Sequence, residues 1–326
     1  LFLGLVMQVI DSMEQSRAVW LLAIFLWSFI TTWFAEPIAI YLGYKLGVLD
    51  YPNERKVHKE PIPRSGGLAF FFALILAPIV LFPTDVRIKS LFVGALLLYI
   101  FMFIDDYKGL SPYIKLIVQI SSALIVILWG GIRFDFLNIE PFGTFVLSPV
   151  GSIFFSLLWI VALTNAVNFI DGLNGLASGV IFISSLAFSV ILLMRGYVIV
   201  SILSLLLAGA TLGFWPYNFP KAKTFMGDVG AQLLGFYTGV LTLWGSIKTI
   251  GGLLFLVYIM LFIFPITDLT WSSIRRILKG KHPFYPDKSH LHHMMLKIGL
   301  SEKGVVVVAY AISALMAILA IYLVRR

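Results

Sequence analysis

The sequence contains no cysteine. Disulfides, thiolate metal sites and a cysteine nucleophile are thereby excluded, and the redox compartment is left undetermined. Charge is scarce as well: 12% of the 326 residues are Asp, Glu, Lys or Arg, against about 25% in an ordinary soluble domain. Hydrophobic residues make up 60%, and mean hydropathy is +0.97 over the whole length. One buried core with a wetted surface cannot have that composition. A soluble globular enzyme, a disordered chain and a nucleic-acid-binding module are excluded, despite a net charge of +8 and a pI near 9.5. In a polytopic membrane protein the same excess reads as cationic loops facing anionic headgroups and the cytoplasm. The short alternation of a porin strand is absent, and no internal repeat suggests a transporter built from two halves.

What the chain has instead is long apolar runs. A hydrocarbon core about 30 Å thick needs roughly 20 apolar residues per helical span. Ten runs qualify, near 18–43, 65–83, 90–104, 114–131, 150–167, 175–195, 197–215, 229–247, 250–270 and 304–324. They predict an all-α polytopic bundle of about ten transmembrane helices in a single membrane domain, 1–326. Leu1 to Ile10 are apolar but too few to cross. Asp11, Glu14 and Arg17 then interrupt the run, so an interfacial segment is expected there.

Alternate connections fall on one side: 45–64, 105–115, 168–175, 216–228 and 271–303. They hold 16 of the 24 lysines and arginines and all five histidines. The positive-inside rule makes this face cytoplasmic and, with ten spans, puts both termini outside. The acid clusters lie on it too, whereas the longest opposite connection, 132–149, is Phe-rich with little that could do chemistry.

Five motifs stand on that face. Asp105-Asp106 closes a strongly apolar run. A carboxylate at the bilayer centre costs at least about 2.5–3.5 kcal/mol, and adjacent acids repel each other. Such a pair calls for a compensating cation, and Mg²⁺ fits, because one or two carboxylates plus substrate phosphates hold it. The plain alternative is a helix end whose acids sit in water. Asn165, Asn168 and Asp171 recur every three residues and share one broad helix face. Gly172 and Gly175 follow and permit a tight turn around whatever is held; the alternative is a capped helix end at Asp171 or Asn174. Phe225-Met226-Gly227-Asp228 opens the eighth span after a Pro-broken loop. An acid is favoured at a helix start in any case, and Phe225 could stack on a base or anchor at the interface.

His290-Leu291-His292-His293 puts three histidines in four residues. Zinc is conceivable, but there is no cysteine and no His-Glu-x-x-His pairing. The basic surroundings (Arg275, Arg276, Lys279, Lys281, Lys288) suit anionic substrate oxygens better. Finally, Lys56 and Arg64 lead into Ser65-Gly66-Gly67, whose backbone N–H groups at a helix start would form an anion site. The alternative is a positive stop with an N-cap. No Gly-x-x-x-x-Gly-Lys loop is present, so nucleotide hydrolysis of that kind is disfavoured.

Taken together, the five loops resemble the polyprenyl-phosphate N-acetylhexosamine-1-phosphate transferases, in the bacterial branch that primes O-antigen, enterobacterial common antigen or teichoic-acid linkage units. The resemblance covers most of the chain, with the motifs in family order. It implies transfer of a sugar 1-phosphate from a UDP-N-acetylhexosamine to a polyprenyl (undecaprenyl) phosphate, releasing UMP, with Mg²⁺ or Mn²⁺ as cofactor. It implies that Asp228 ligates the metal and that Asp105 or Asp106 helps bind it or deprotonates the lipid phosphate. Asp171 is then catalytic or metal-proximal. Asn168, Asn174 and Phe225 become uridine-side contacts. Arg276, His290, His292 and His293 become diphosphate and sugar contacts, with Lys56, Arg64 and Asn218 also in the substrate-binding set.

One position departs from the pattern. Family members often carry a third acid, in Asp-Asp-x-x-Asp, where this chain has Gly109; metal and base duty then fall on Asp105, Asp106, Asp171 and Asp228. The histidines, spaced His-x-His-His after Pro-Asp, resemble the N-acetylglucosamine branch. The muramoyl-pentapeptide branch usually runs them consecutively after Pro-Ile. The expectation is therefore transfer of N-acetylglucosamine 1-phosphate to undecaprenyl phosphate, the first membrane step of a cell-surface polysaccharide pathway. The active site would be cytoplasmic, in the inner (plasma) membrane. The other readings are a phospho-N-acetylmuramoyl-pentapeptide transferase and, from other classes, a transporter or an intramembrane prenyltransferase. A transporter needs polar residues on a path open to both faces. A prenyltransferase usually carries two acid-rich motifs. Expected partners are the two substrates and the lipid bilayer, with no nucleic acid and a homodimer left open.

Overall fold

Helix starts along the chain are written locally. Ser111-Pro112 and Ser148-Pro149 use the same device: the serine Oγ accepts the N–H of Ile114 or Gly151, and the proline occupies the first helical position, where no N–H is needed. Asp85 caps the preceding helix through the N–H groups of Arg87 and Ile88. A computed structural model describes residues 2–52, 60–139, 143–246, 252–278, 280 and 291–325. Its helices are α1 (Phe2–Leu46), α2 (Gly66–Leu81), α3 (Val86–Lys108), α4 (Pro112–Leu124, prolonged to Trp129), α5 (Pro149–Ile170), α6 (Leu176–Met194), α7 (Val198–Asn218), α8 (Gly227–Ser246), α9 (Gly252–Leu261), α10 (Ile263–Leu278), α11 (Leu291–Lys297) and α12 (Glu302–Arg325). Two small antiparallel pairs, Leu49–Asp50 with Ile62–Pro63 and Phe136–Ile139 with Gly143–Val146, are the only strands among the described residues.

The protein is an all-α polytopic membrane bundle. Seven helices among the described residues are long and apolar enough to cross a bilayer: Ala18–Leu46 of α1, α3, Pro112–Trp129, α5, α6, α7 and α12. The other three predicted runs are helical but differ in kind. α2 is shorter. The 250–270 run, expected as one span, is broken at Phe262 into α9 and α10. Pro265 lies in the first turn of α10, where its missing N–H is tolerated, so the break precedes it. α8 is long enough but carries Asp228, Gln232, Tyr237, two threonines and five glycines. It can be this polar because it touches protein rather than lipid: every residue from Val229 to Gly245 is buried. The residues around Asp11, Glu14 and Arg17, which interrupt the apolar run, are helical and continuous with the rest of α1.

α8 is the axis of the bundle, packed against α3 and α5, with the start of α2 across its N-terminal end. α1, α7, α6 and α12 pack in sequence beside this core. α10 is inverted relative to a soluble helix: Phe264, Asp268, Ser272 and Arg276, four residues apart, are buried. Trp271, Ile274, Ile277 and Leu278 are exposed. A helix polar inside and apolar outside suits hydrocarbon surroundings. The last turn of α3, the first turns of α4 and α8, and the ends of α5 and α10 converge at one end of the bundle, and the site lies there.

Candidate active site

Asp105 and Asp106 lie in the last turn of α3, and Gly109 explains how that turn ends. Its φ of +73° is a conformation that a side chain would strain. The turn brings the N–H of Leu110 back onto Asp105 Oδ1 at 2.7 Å, while Gly109 N–H donates to the Asp105 carbonyl at 2.8 Å. The missing third acid of the sequence pattern is thus a position where this chain needs glycine.

Asp106 points the other way. Its carboxylate accepts the N–H groups of Asp228 at 3.0 Å and Val229 at 2.9 Å, so it caps α8 from another helix. Gly227, at φ +68°, opens α8 in the contact this creates: a Cβ there would meet the Arg64 carbonyl and lie 2.5 Å from Asp106 Oδ2. The capping places Asp228 beside the pair, and carboxylate oxygens of Asp105, Asp106 and Asp228 all lie within 4.8 Å of one another.

Two cations hold this acid cluster. Arg64 Nη2 lies 3.4 Å from Asp106 Oδ1 and 3.6 Å from Asp228 Oδ1. Lys115, one turn into α4, bridges Asp105 Oδ2 at 2.5 Å and Asp228 Oδ2 at 2.7 Å. In the sequence Lys115 carries little signal, being a lone cation one turn inside an apolar run. Asp228 Oδ2 also accepts from Gln232 Nε2 at 3.1 Å.

The donor set fits a divalent cation. Hard oxygen ligands are what Mg²⁺ and Mn²⁺ take, typically one or two protein carboxylates beside phosphate oxygens. Both Asp106 oxygens accept from α8 backbone N–H groups, and the Asp105 oxygens are engaged by Leu110 N–H and Lys115, whereas Asp228 Oδ1 meets Arg64 at a longer 3.6 Å. Asp228, with Asp105 or Asp106 beside it, is accordingly the group that could hold such an ion.

Asp171 caps the C-terminal end of α5, its N–H donating to the Asn168 carbonyl. Burial pushes its carboxyl well above the usual range; Asp228 and Asp106 push the same way and Arg64 opposes them. Their mutual influence places Asp171 in the field of the acid cluster. Asn174 Nδ2 reaches the Pro220 carbonyl at 3.5 Å. The buried Asn218 has both ends of its amide engaged: Oδ1 accepts Gly175 N–H at 2.6 Å and Nδ2 donates to the Thr224 carbonyl at 2.9 Å. It therefore braces the 172–175 turn against the loop that carries Phe225.

The expected anion site at Ser65-Gly66-Gly67 is corrected. The N–H groups of Gly66 and Gly67 donate to the carbonyls of Phe225 and Met226, each at 3.0 Å, and Phe225 N–H donates to the Pro63 carbonyl at 2.8 Å. These groups zip the start of α2 to the approach of α8, leaving Arg64 as the anion-facing element there. His292 is buried and lies against the α5–α6 turn, where a Cβ on Gly172 would come within 2.6 Å of its Nε2. The His293 ring lies against it, tilted by 43° with centroids 4.3 Å apart. Arg276 is buried with its guanidinium 5.5 Å from the Phe169 ring. Lys56 and His290 lie outside the described residues.

Comparison with known proteins bears directly on this constellation. The model of the family described as glycosyl transferase family 4 matches residues 88–246, a segment holding Asp105, Asp106, Lys115, Asp171 and Asp228. A Bacillus subtilis protein named "Probable undecaprenyl-phosphate N-acetylglucosaminyl 1-phosphate transferase" is 36% identical over 318 residues, 95% of this chain and 87% of its own length. A Mycobacterium tuberculosis decaprenyl-phosphate N-acetylglucosaminephosphotransferase is 36% identical over 311 residues, 86% of this chain and 77% of its own. The undecaprenyl-phosphate alpha-N-acetylglucosaminyl 1-phosphate transferase of Escherichia coli K12 is 28% identical over 308 residues, 91% and 81% of the two chains. With its acid cluster at one end of a membrane bundle and these relatives aligned along nearly its whole length, the chain belongs to glycosyl transferase family 4.

Proposed function

We propose that the protein transfers N-acetylglucosamine 1-phosphate from UDP-N-acetylglucosamine to undecaprenyl phosphate, releasing UMP. The observation that carries this is the cluster of Asp105, Asp106 and Asp228 within 4.8 Å, braced by Arg64 and Lys115 where the helices end. A soluble nucleotide sugar and a membrane-bound lipid phosphate can meet only at such a boundary. The excess of Lys and Arg on the loops of that face supports a site on the cytoplasmic side of the inner (plasma) membrane, where the reaction would begin a cell-surface polysaccharide.

A phosphate oxygen of the lipid attacks the β-phosphorus of the UDP-sugar, and the bond to UMP breaks. The lipid phosphate is largely ionised near neutral pH, so positioning and charge neutralisation matter more than a strong base. Asp228, with Asp105 or Asp106, would hold Mg²⁺ or Mn²⁺, which would supply Lewis-acid neutralisation of the diphosphate charge. Arg64 and Lys115 add fixed positive charge facing the phosphates. Asp106 positions Asp228 by capping α8. Asp171, whose carboxyl burial shifts upward, lies in the field of the cluster, and Asn168, Asn174 and Phe225 shape the uridine side. Arg276, His292 and His293, with Lys56 and His290, contact the diphosphate and sugar.

The test is direct: incubate purified protein with undecaprenyl phosphate, UDP-N-acetylglucosamine and Mg²⁺, following UMP and lipid-linked sugar together. Equimolar appearance of both supports the assignment. UMP without a lipid product, or product only from a different UDP-sugar, overturns it.

A further inference from the structure

Below the acid cluster, three amide side chains from three helices form a continuous chain that the transfer chemistry does not itself require. Gln232 of α8 donates Nε2–H to Asp228 Oδ2 at 3.1 Å. Gln119 of α4 donates Nε2–H to Gln232 Oε1 at 2.8 Å. Asn165 of α5 donates Nδ2–H to Gln119 Oε1 at 2.8 Å and to the Val161 carbonyl of its own helix, also at 2.8 Å. Gln119 and Gln232 are 4% and 1% exposed, so water cannot substitute for a missing partner.

The two ends of this chain fix its direction. A backbone carbonyl and an ionised carboxylate can only accept. Asn165 must therefore turn its NH₂ toward Val161, Gln119 must turn its oxygen toward Asn165, and Gln232 must turn its oxygen toward Gln119. The single orientation that pairs every group ends with an N–H aimed at Asp228 Oδ2. Lys115 Nζ reaches the same oxygen at 2.7 Å. Oδ2 is thus held on the inner side, and Oδ1 is turned toward Arg64 and the open end of the site.

We propose that Gln232, Gln119 and Asn165 are positioning residues: a directional amide relay, anchored on the Val161 carbonyl, that fixes which oxygen of Asp228 is presented to the divalent cation. The inference rests on Asp228 holding the cation and goes beyond it by assigning a task to three residues that touch neither substrate nor metal. Outer partners of a metal-binding carboxylate typically alter metal affinity by about 10- to 100-fold when lost.

The test uses the whole protein in detergent, titrated with Mn²⁺ and read by electron paramagnetic resonance, with Gln232→Met and Gln119→Met as near-isosteric variants. Gln232→Met is expected to weaken Mn²⁺ binding about tenfold. Gln119→Met, which does not touch Asp228, is expected to weaken it about threefold. The double variant should match Gln232→Met alone, because Gln119 acts only through Gln232. UMP release at saturating Mn²⁺ should stay within about threefold of wild type, a split that general packing damage does not produce. Wild-type affinity in either single variant, or losses that multiply in the double, overturns the relay. Wild-type Mn²⁺ affinity in Asp228→Asn overturns the metal assignment itself, a separate outcome. Thermal melting monitors folding, and Gln119→Met carries the test alone where Gln232→Met does not fold.

Discussion

The carboxylate of Asp106 accepts the backbone N–H of Asp228 at 3.0 Å, so one acid of the cluster builds the helix end that delivers another. Adjacent in sequence, Asp105 and Asp106 therefore have different tasks: Asp105 faces Lys115, and Asp106 faces the start of α8. Loss of a capping acceptor costs about 0.5–2 kcal/mol. Asp106→Ala is expected to lower stability by about 1–2 kcal/mol and to lower activity. Asp106→Asn, which keeps one acceptor oxygen, is expected to lose less stability. Denaturation of the two variants in detergent checks the order, and equal losses would count against the capping role.

Asp228→Asn keeps the side-chain shape and the α8 start but removes the anionic oxygen. Transfer is expected to fall about 100-fold or more with the melting temperature little changed. Full metal-dependent turnover in a folded variant would sink the assignment.

Lys115 neutralises two carboxylates at once. Removing one partner of a buried pair costs about 3–5 kcal/mol, and Lys115 is 26% exposed, so about 2 kcal/mol is expected for Lys115→Met. Because the acids it leaves behind still attract cations, added Mn²⁺ should raise the variant's melting temperature more than that of wild type. An equal rise in both proteins would show that Lys115 does not offset the cluster's charge.

Asp171 gives a pH signature. Its carboxyl titrates higher in the folded protein than in the unfolded chain, because burial disfavours the anion and Asp228 adds repulsion. Such a group contributes stability that is fully present below the unfolded value, about 3.9, and lost as pH rises through the raised folded value. In metal-free protein, Asp171→Asn should remove that loss, so its melting temperature gains on wild type as pH rises. A difference between the two that is constant with pH would contradict the assignment.

Gly109→Asp restores the acid of the wider pattern. The left-handed backbone there costs a side chain about 1–2 kcal/mol, although a Cβ meets nothing within 4 Å. Stability should fall by about that amount with no gain in activity, measured by melting temperature and UMP release.

The sequence alone carried the solvent of this protein and marked the acids that the fold gathers into one cluster. Low charge and long apolar runs require a bilayer, and acids can persist beside such runs only where something compensates them. Spacing also tied Asn165, Asn168 and Asp171 to one helix face, and the motifs marked Asp105, Asp106 and Asp228. Gln119 and Gln232 were illegible, because a lone glutamine in an apolar run carries no periodic signal; what matters is which helix it meets. The same holds for Lys115, which becomes part of the site only when α4 lies against α3 and α8. The free N–H groups expected at Gly66 and Gly67 failed for a related reason: a local reading cannot see that Phe225 and Met226 will supply acceptors from far along the chain. Backbone and amide groups buried away from water must find partners. Sequence fixes how many such groups there are, but only the packing of helices distant in the chain decides which pairs form, and with them which oxygen of Asp228 meets Gln232 and which meets Arg64.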